Sequence, residues 1–410
     1  MANDDPALTP PAPGGPRRHG QLPGAPAGEP RPSDAGLDRW VRAGSTVVLA
    51  DGVGSPVGLC DELSEVARAV GDVRLILGWL PELPHGLQLD AFADVRSFLP
   101  GRALQPAIAS GAVRYVPSYL SGVPALFATT WRPDLVVLSV RPTSHGLGLG
   151  SEVSWIAAAA GAARACVAEL NAALPSAVRS DVLGGVDITV VAEVERPPVV
   201  VPSAPVDAVF EQIAAETVRY VAPGASLQVG PGALGQALVD ALDVPVAFDS
   251  GIATDALVDL DARGLLAREP SATYLSGTER LYGWADGRPL LVGIGEERAG
   301  ADDRSSVAVN GALAVDLLGQ VAIDGPDARS AFGIGGHADY AYAANRSPAG
   351  LSIVAVPSRR RGRSTLVDHL AVPVSTPRSI VDVLVTEAGS VDLRGLSDHE
   401  RSSAIASLFA

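Results

Sequence analysis

The 410-residue chain is 47% hydrophobic and 19% charged, the range of soluble globular proteins, and it is long enough for two ordinary domains. A net charge of -15 argues against nucleic acid, and every apolar run is broken by Gly, Arg or Asp well short of the roughly 18 residues of a membrane span. With aromatics at 5%, the core must rest on Val, Leu, Ile and Ala, which suits buried parallel strands.

Residues 1–35 are rich in Pro, Gly and Ala and lack periodicity, so they read as a disordered tail. No basic start followed by an apolar stretch marks a secretory signal, which makes the cytoplasm the expected location. Ordered sequence begins near Leu37. Thr46–Ala50 reads as a strand and Pro56–Val70 as the helix after it. Val73–Leu77, Leu135–Val140 and Ala165–Leu170 are further strands, with an Ala-rich helix over Trp155–Ala163. A Pro/Val-rich connector follows at Pro197–Pro205. The same grammar then restarts: a helix over Val206–Val221, a strand at Ser226–Val229, a helix over Ala233–Leu242, and strands at Val244–Phe248, Leu351–Val356 and Ile380–Val385. The alternation predicts an α/β fold with parallel sheets covered by helices, divided into domains at 36–200 and 201–410.

Cys60 and Cys166 lie far apart in apolar sequence and read as buried thiols. No Cys/His or Asp/His cluster suggests a metal. The cluster Arg359, Arg360, Arg361 and Arg363 is either a solvated loop or a contact for a ligand phosphate. In parallel α/β sheets, ligands sit beyond the carboxyl ends of strands, where glycines let backbone N–H groups approach an anion. Three turns fit. Asp51-Gly52-Val53-Gly54-Ser55-Pro56 lies between strand and helix, and Gly52 and Gly54 there are candidate donors to an oxyanion. The other two are Gln228-Val229-Gly230-Pro231-Gly232 and Gly333-Ile334-Gly335-Gly336-His337. None ends in the Lys-Ser/Thr of a phosphate loop or completes a dinucleotide fingerprint, so ATP and NAD are unsupported. Among the histidines, His145 and His337 adjoin glycines in expected loops.

The order of these pieces resembles the acetyl-CoA hydrolase/transferase family, a branch of the class I CoA-transferases that includes the 4-hydroxybutyrate CoA-transferases. The resemblance runs from about Gly44 to the C-terminus. It is carried by Val167-Ala168-Glu169-Leu170-Asn171, by Leu227 to Gly232, by Tyr274 to Tyr282, by Val309-Asn310-Gly311-Ala312-Leu313 through Val321, by Gly333 to Tyr340, and by Thr386-Glu387-Ala388-Gly389 with Leu393-Arg394-Gly395. Membership implies two similar parallel-sheet α/β domains of the CoA-transferase type, facing each other across a cleft. Coenzyme A enters as a substrate moiety rather than a permanently bound cofactor. The implied partners are an acyl-CoA and a carboxylate acceptor or water, and homodimerisation is expected by analogy. The resemblance places Gly230, Gly232, Asn310, Gly333, Gly335 and Gly336 along the CoA cleft.

In that family a glutamate attacks the thioester carbonyl and becomes an acyl anhydride, then a glutamyl-CoA thioester. The matching stretch here runs Phe248-Asp249-Ser250-Gly251-Ile252-Ala253-Thr254-Asp255, and Asp255 with Val258-Asp259-Leu260 fixes a register that puts Gly251 at the glutamate position. Glycine cannot form an anhydride. Asp249, two residues back, would point to the same side of an extended strand and is a candidate nucleophile or base, against the alternative of a solvated strand-end carboxylate. Ser250 is a further candidate. His337, where the family usually has Gln, is a candidate acid/base. The expected function is acyl-CoA transfer or hydrolysis by a route altered from the glutamyl one. The alternatives are a catalytically silent CoA-binding protein and a recast lyase or cyclase acting on a thioester-linked intermediate.

Overall fold

The computed structural model describes residues 36–294, 306–325 and 333–410. The expected tail, residues 1–35, lies outside them. Residues from 36 on belong to one compact unit, within which two sheets stand on either side of the 197–205 connector in sequence.

The first sheet contains β1 (Thr46–Leu49), β2 (Arg74–Leu77), β3 (Asp94–Ser97), β4 (Arg114–Tyr115), β5 (Leu135–Thr143), β6 (Gly146–Gly148), β7 (Ala165–Asn171) and β8 (Ile188–Val194). Its order is β4-β3-β2-β1-β5-β7-β8, parallel throughout, with β6 folding back antiparallel on β5. The second contains β9 (Ser226–Val229), β10 (Ala247–Phe248), β11 (Ser306–Gly311), β12 (Leu351–Ala355), β13 (Val383–Thr386) and β14 (Gly389–Asp392). Here the order is β10-β9-β11-β12-β13-β14, and only the last pair is antiparallel.

The central strands β1, β5, β11 and β12 carry continuous buried runs because helices cover both faces. One core joins the two sheets: Val48 and Val136 from the first and Leu227, Ile353 and Val383 from the second belong to the same buried cluster. Aromatics are few but concentrated there. The Phe98 ring stands edge-on to Trp155 at 5.5 Å, and Phe127 lies 5.2 Å from the same indole. The connector is laced to both halves by Val199 N–H to Val53 O and Val201 N–H to Gly277 O.

The sequence reading missed β3, because Asp94-Val-Arg-Ser is too polar to read as a strand. Charge pairing holds it: Asp94 accepts from Arg74 and Arg96 at 2.8 Å and from Arg114 at 3.1 Å, one arginine from each neighbouring strand and one from its own. Two expected elements are shorter than their apolar runs. The strand at 244–248 is reduced to β10, and the helix at 206–221 to Ala208–Thr217 with a 3-10 turn after it. Asp207 sets that helix start by accepting from Val209 and Phe210 N–H. His337 is a correction too: it opens the helix His337–Arg346 rather than sitting in a loop.

Candidate active site

A cavity of about 300 Å³ lies where the carboxyl ends of β9 and β11 meet the first sheet's loops. Its second-half wall includes Gln228, Gly230, Gly251, Asn310 and the turn Gly333–His337; Trp79, Leu99, Gly101 and Leu120 supply the first-half wall. Glycine lets the two halves approach. At Gly333, whose φ is +95°, a Cβ would stand 2.7 Å from Leu99 Cδ1. The turn is clipped across by Leu120 N–H to Gly335 O, and Asp339 accepts from the Ser121 N–H at 3.2 Å.

Strand register pairs Ala308 with Gln228, which brings the Asn310 side chain beside it. The two amides bond reciprocally: Gln228 Nε2 to Asn310 Oδ1 at 3.2 Å, and Asn310 Nδ2 to Gln228 Oε1 at 3.1 Å. Each NH₂ keeps one further N–H. His337 is 8% exposed, and its Nε2 is buried with no hydrogen-bond partner. Burial pushes its pKa down to about 4, so the imidazole is neutral at pH 7. At Gly251, a Cβ would meet nothing nearer than the Tyr340 ring at 3.7 Å. The backbone therefore leaves room for a side chain at that position.

The cavity gathers Gly230, Asn310, Gly333, Gly335, Gly336 and His337 from the candidates. Gly232 lines the neighbouring hollows instead. Asp249 is buried, contrary to the solvated reading, yet it is not a wall residue; its Oδ1 accepts from Ser271 Oγ at 2.5 Å. Ser250 donates to Val229 O at 2.7 Å. His145 is exposed on the β5–β6 turn and borders a separate hollow.

The N–H groups of Gly52 and Gly54, expected as donors to an oxyanion, are engaged within the protein. The Gly52 N–H goes to Trp79 O at 2.8 Å and the Gly54 N–H to Glu152 Oε2 at 3.2 Å. Their lack of side chains makes room for buried Glu152, whose carboxyl atoms would lie 2.6 and 2.7 Å from a Cβ at the two positions. Burial pushes the Glu152 carboxyl up to about 8. Asp51, also buried, is pushed up to about 7 while accepting from Trp79 N–H, Trp155 Nε1 and Tyr274 Oη at 2.7, 3.0 and 2.8 Å. Tyr274 and Trp79 face the cavity, so this acid lies directly behind its wall.

Sequence reasoning missed Gln228, Tyr274 and Trp79 as site residues. Gln228 and Tyr274 stood inside quoted motifs, but only the folded register shows that they face the cavity. Glu169 and Asn171 of another motif have structural work: Glu169 holds the Gly58 N–H at 2.9 Å and pairs with Arg196, and Asn171 brackets the Arg196 backbone.

Residues 277–410 match the acetyl-CoA hydrolase/transferase C-terminal domain. Over that segment the chain is similar to the acetyl-CoA hydrolase/transferase family. Its similarity to curated CoA transferases extends far beyond that segment. It is 26% identical to 4-hydroxybutyrate coenzyme A transferase of Clostridium kluyveri over 387 residues, spanning 88% of this chain and 90% of the relative. It is 27% identical to the succinyl-CoA:acetate/propanoyl-CoA:succinate CoA transferase of Fasciola hepatica, over 89% of this chain and 82% of that one. In fold it is similar to RipA from Yersinia pestis, with a TM-score of 0.78 and 24% identity, covering 91% of this chain and 92% of the other. The cavity of this chain combines glycine turns with the Gln228–Asn310 pair, and position 251 carries no side chain.

Proposed function

We propose that this chain cleaves an acyl-CoA thioester in the cavity between the sheets, with water taking the place of the missing glutamate. One observation carries the reading. Gly251, with open space beside it, lines the same cavity as His337, whose Nε2 is buried without a hydrogen-bond partner.

The chemistry follows from those groups. In the tautomer that leaves a lone pair on Nε2, His337 accepts a proton as water oxygen bonds to the thioester carbonyl carbon. The carbonyl electron pair moves onto oxygen, where the spare N–H groups of Gln228 and Asn310 can receive it. Collapse breaks the C–S bond, and the imidazolium returns its proton to the departing sulfur. The products are a carboxylic acid and CoA. Exchange of CoA between two acids would need the covalent glutamyl relay, for which position 251 has no carboxylate. Asp249, held by Ser271, is given a structural part.

The test is thiol release from a panel of acyl-CoAs with no carboxylate acceptor present. CoA release lost in His337→Ala supports the reading. Tight acyl-CoA binding with no thiol released would leave a silent binding protein, and a product other than the free acid would point to the lyase or cyclase alternative.

A further inference from the structure

The cavity has two unlike ends. Towards Pro231 it joins a second hollow of about 320 Å³, which shares Trp79, Gly101, Pro231 and Ile252 with it. Leu99, Leu120, Ile334 and Tyr340 line the cavity and not the hollow, so they mark its other end. That end is tightly built. Leu99 Cδ1 would lie 2.7 Å from a Cβ at Gly333 and 3.6 Å from one at Gly335, and the Tyr340 ring 3.1 Å from one at Gly336. Leu120 is held against the same turn by its N–H to Gly335 O at 3.3 Å.

Charge is arranged with the same bias. The chain contains no lysine, and among the described residues no arginine lines the cavity. Arg102, next to the wall residue Gly101, borders the second hollow instead. His337 is neutral at pH 7. The nearest carboxyls are Asp51, behind Trp79 and Tyr274, and Asp339, on the helix that His337 opens; neither can attract a second negative charge. A carboxylate laid against Leu99, Leu120 and Ile334 would lose water and gain no counter-charge. Hydrocarbon there gains, each buried methylene strengthening binding about fourfold.

We propose that this end receives the acyl group and selects chains that are apolar to the tip, refusing those that end in a carboxylate or hydroxyl, with Leu120 as a specificity-determining residue. This rests on the thioester reading above and names the chemical class of its acyl group. With the carbonyl at Gln228 and Asn310, sulfur departs towards Pro231 and the chain lies on the leucines. The relatives named above leave this polarity open: by their names, one handles 4-hydroxybutyrate, with a terminal hydroxyl, and the other succinyl-CoA, with a terminal carboxylate.

Pairs of thioesters matched in shape test it. 4-Methylpentanoyl-CoA carries two methyls where succinyl-CoA carries two carboxylate oxygens, and pentanoyl-CoA carries a methyl where 4-hydroxybutyryl-CoA carries its hydroxyl. With the full chain, kcat/KM for thiol release should favour the hydrocarbon member, by about a hundredfold or more over succinyl-CoA and about tenfold over 4-hydroxybutyryl-CoA. Leu120→Arg supplies a cation and should narrow the succinyl gap about tenfold or more, while the uncharged Leu120→Gln narrows it far less. Circular dichroism confirms that both variants fold. Equal rates within the pairs overturn the proposal while the thioester reading stands, and an unchanged gap in folded Leu120→Arg removes that residue from it. If no thioester is cleaved, the catalytic reading fails, and melts with the same compounds decide the acyl end. A larger rise in Tm with 4-methylpentanoyl-CoA than with succinyl-CoA upholds it, and equal values overturn it.

Discussion

The Tyr274 hydroxyl donates to Oδ2 of Asp51 across 2.8 Å, tying a cavity wall residue to a fully buried carboxyl on the opposite half of the chain. The same oxygen also receives the Trp79 N–H and the Trp155 indole, so one acid fixes three groups around the cavity. Asp51→Ala should leave all three donors unmatched and lower stability by about 2–5 kcal/mol, summing the usual cost of stranded donors. Asp51→Asn should lose less. Urea melts of the two variants check the difference.

The same burial makes a pH prediction. Asp51 holds its proton to about pH 7 and Glu152 to about pH 8, against ordinary values of 3.8 and 4.5. Between those limits the folded chain carries protons that the unfolded chain has released. These two carboxyls therefore stabilise the fold most at low pH, and the contribution is lost as pH rises through 7 to 8. Melts of wild type and Asp51→Asn from pH 4 to 9 should show a flatter profile in the variant. Parallel profiles would refute the assignment.

His337 has the opposite sign. Its folded pKa is near 4 and its ordinary value 6.5, so the unfolded chain binds the extra proton and stability rises with pH between those values. In catalysis, kcat/KM should hold down to about pH 4 instead of falling near 6.5. His337→Ala should cut thiol release by about a hundredfold or more. An acid limb at pH 6.5 would rule out the buried imidazole as the base.

Glycines at the site should separate into two kinds. At Gly78, a Cβ would lie 2.1 Å from Asp51 Oδ2, and at Gly54, 2.5 Å from Ser151 Oγ; alanine there should cost about 1–3 kcal/mol or more. Gly251→Ala should be nearly neutral, since its nearest neighbour is the Tyr340 ring at 3.7 Å. Gly251→Glu should fold and, with acyl-CoA, form a hydroxylamine-sensitive acyl-enzyme detectable by mass spectrometry. Chemical denaturation ranks the alanine variants.

Asp249→Ala should behave as a structural lesion. It strands the Ser271 hydroxyl in a buried place, at a cost of about 1–3 kcal/mol, while thiol release per folded molecule stays unchanged. A complete loss of turnover at full stability would return Asp249 to the chemistry.

Sequence alone determined the alternation of strands and helices, because unbroken Val, Ile and Leu runs such as those of β1 and β5 admit little but buried parallel strands. It also raised the expectation of a missing glutamate, since the resemblance, in ungapped register through Asp255 and Leu260, sets Gly251 at that position. The polar strand β3 escaped notice because its stability comes from arginines 20 residues away on either side.

Tertiary structure decided what each glycine was for. Gly54 and Gly333 look alike in sequence, each in a turn beside a helix start, yet one makes room for a buried glutamate and the other for a leucine from the opposite half. A glycine's meaning lies in the atom that occupies the space its side chain would fill. That atom is brought by long-range folding, as Glu152 and Leu99 are here, and local pattern carries no trace of it.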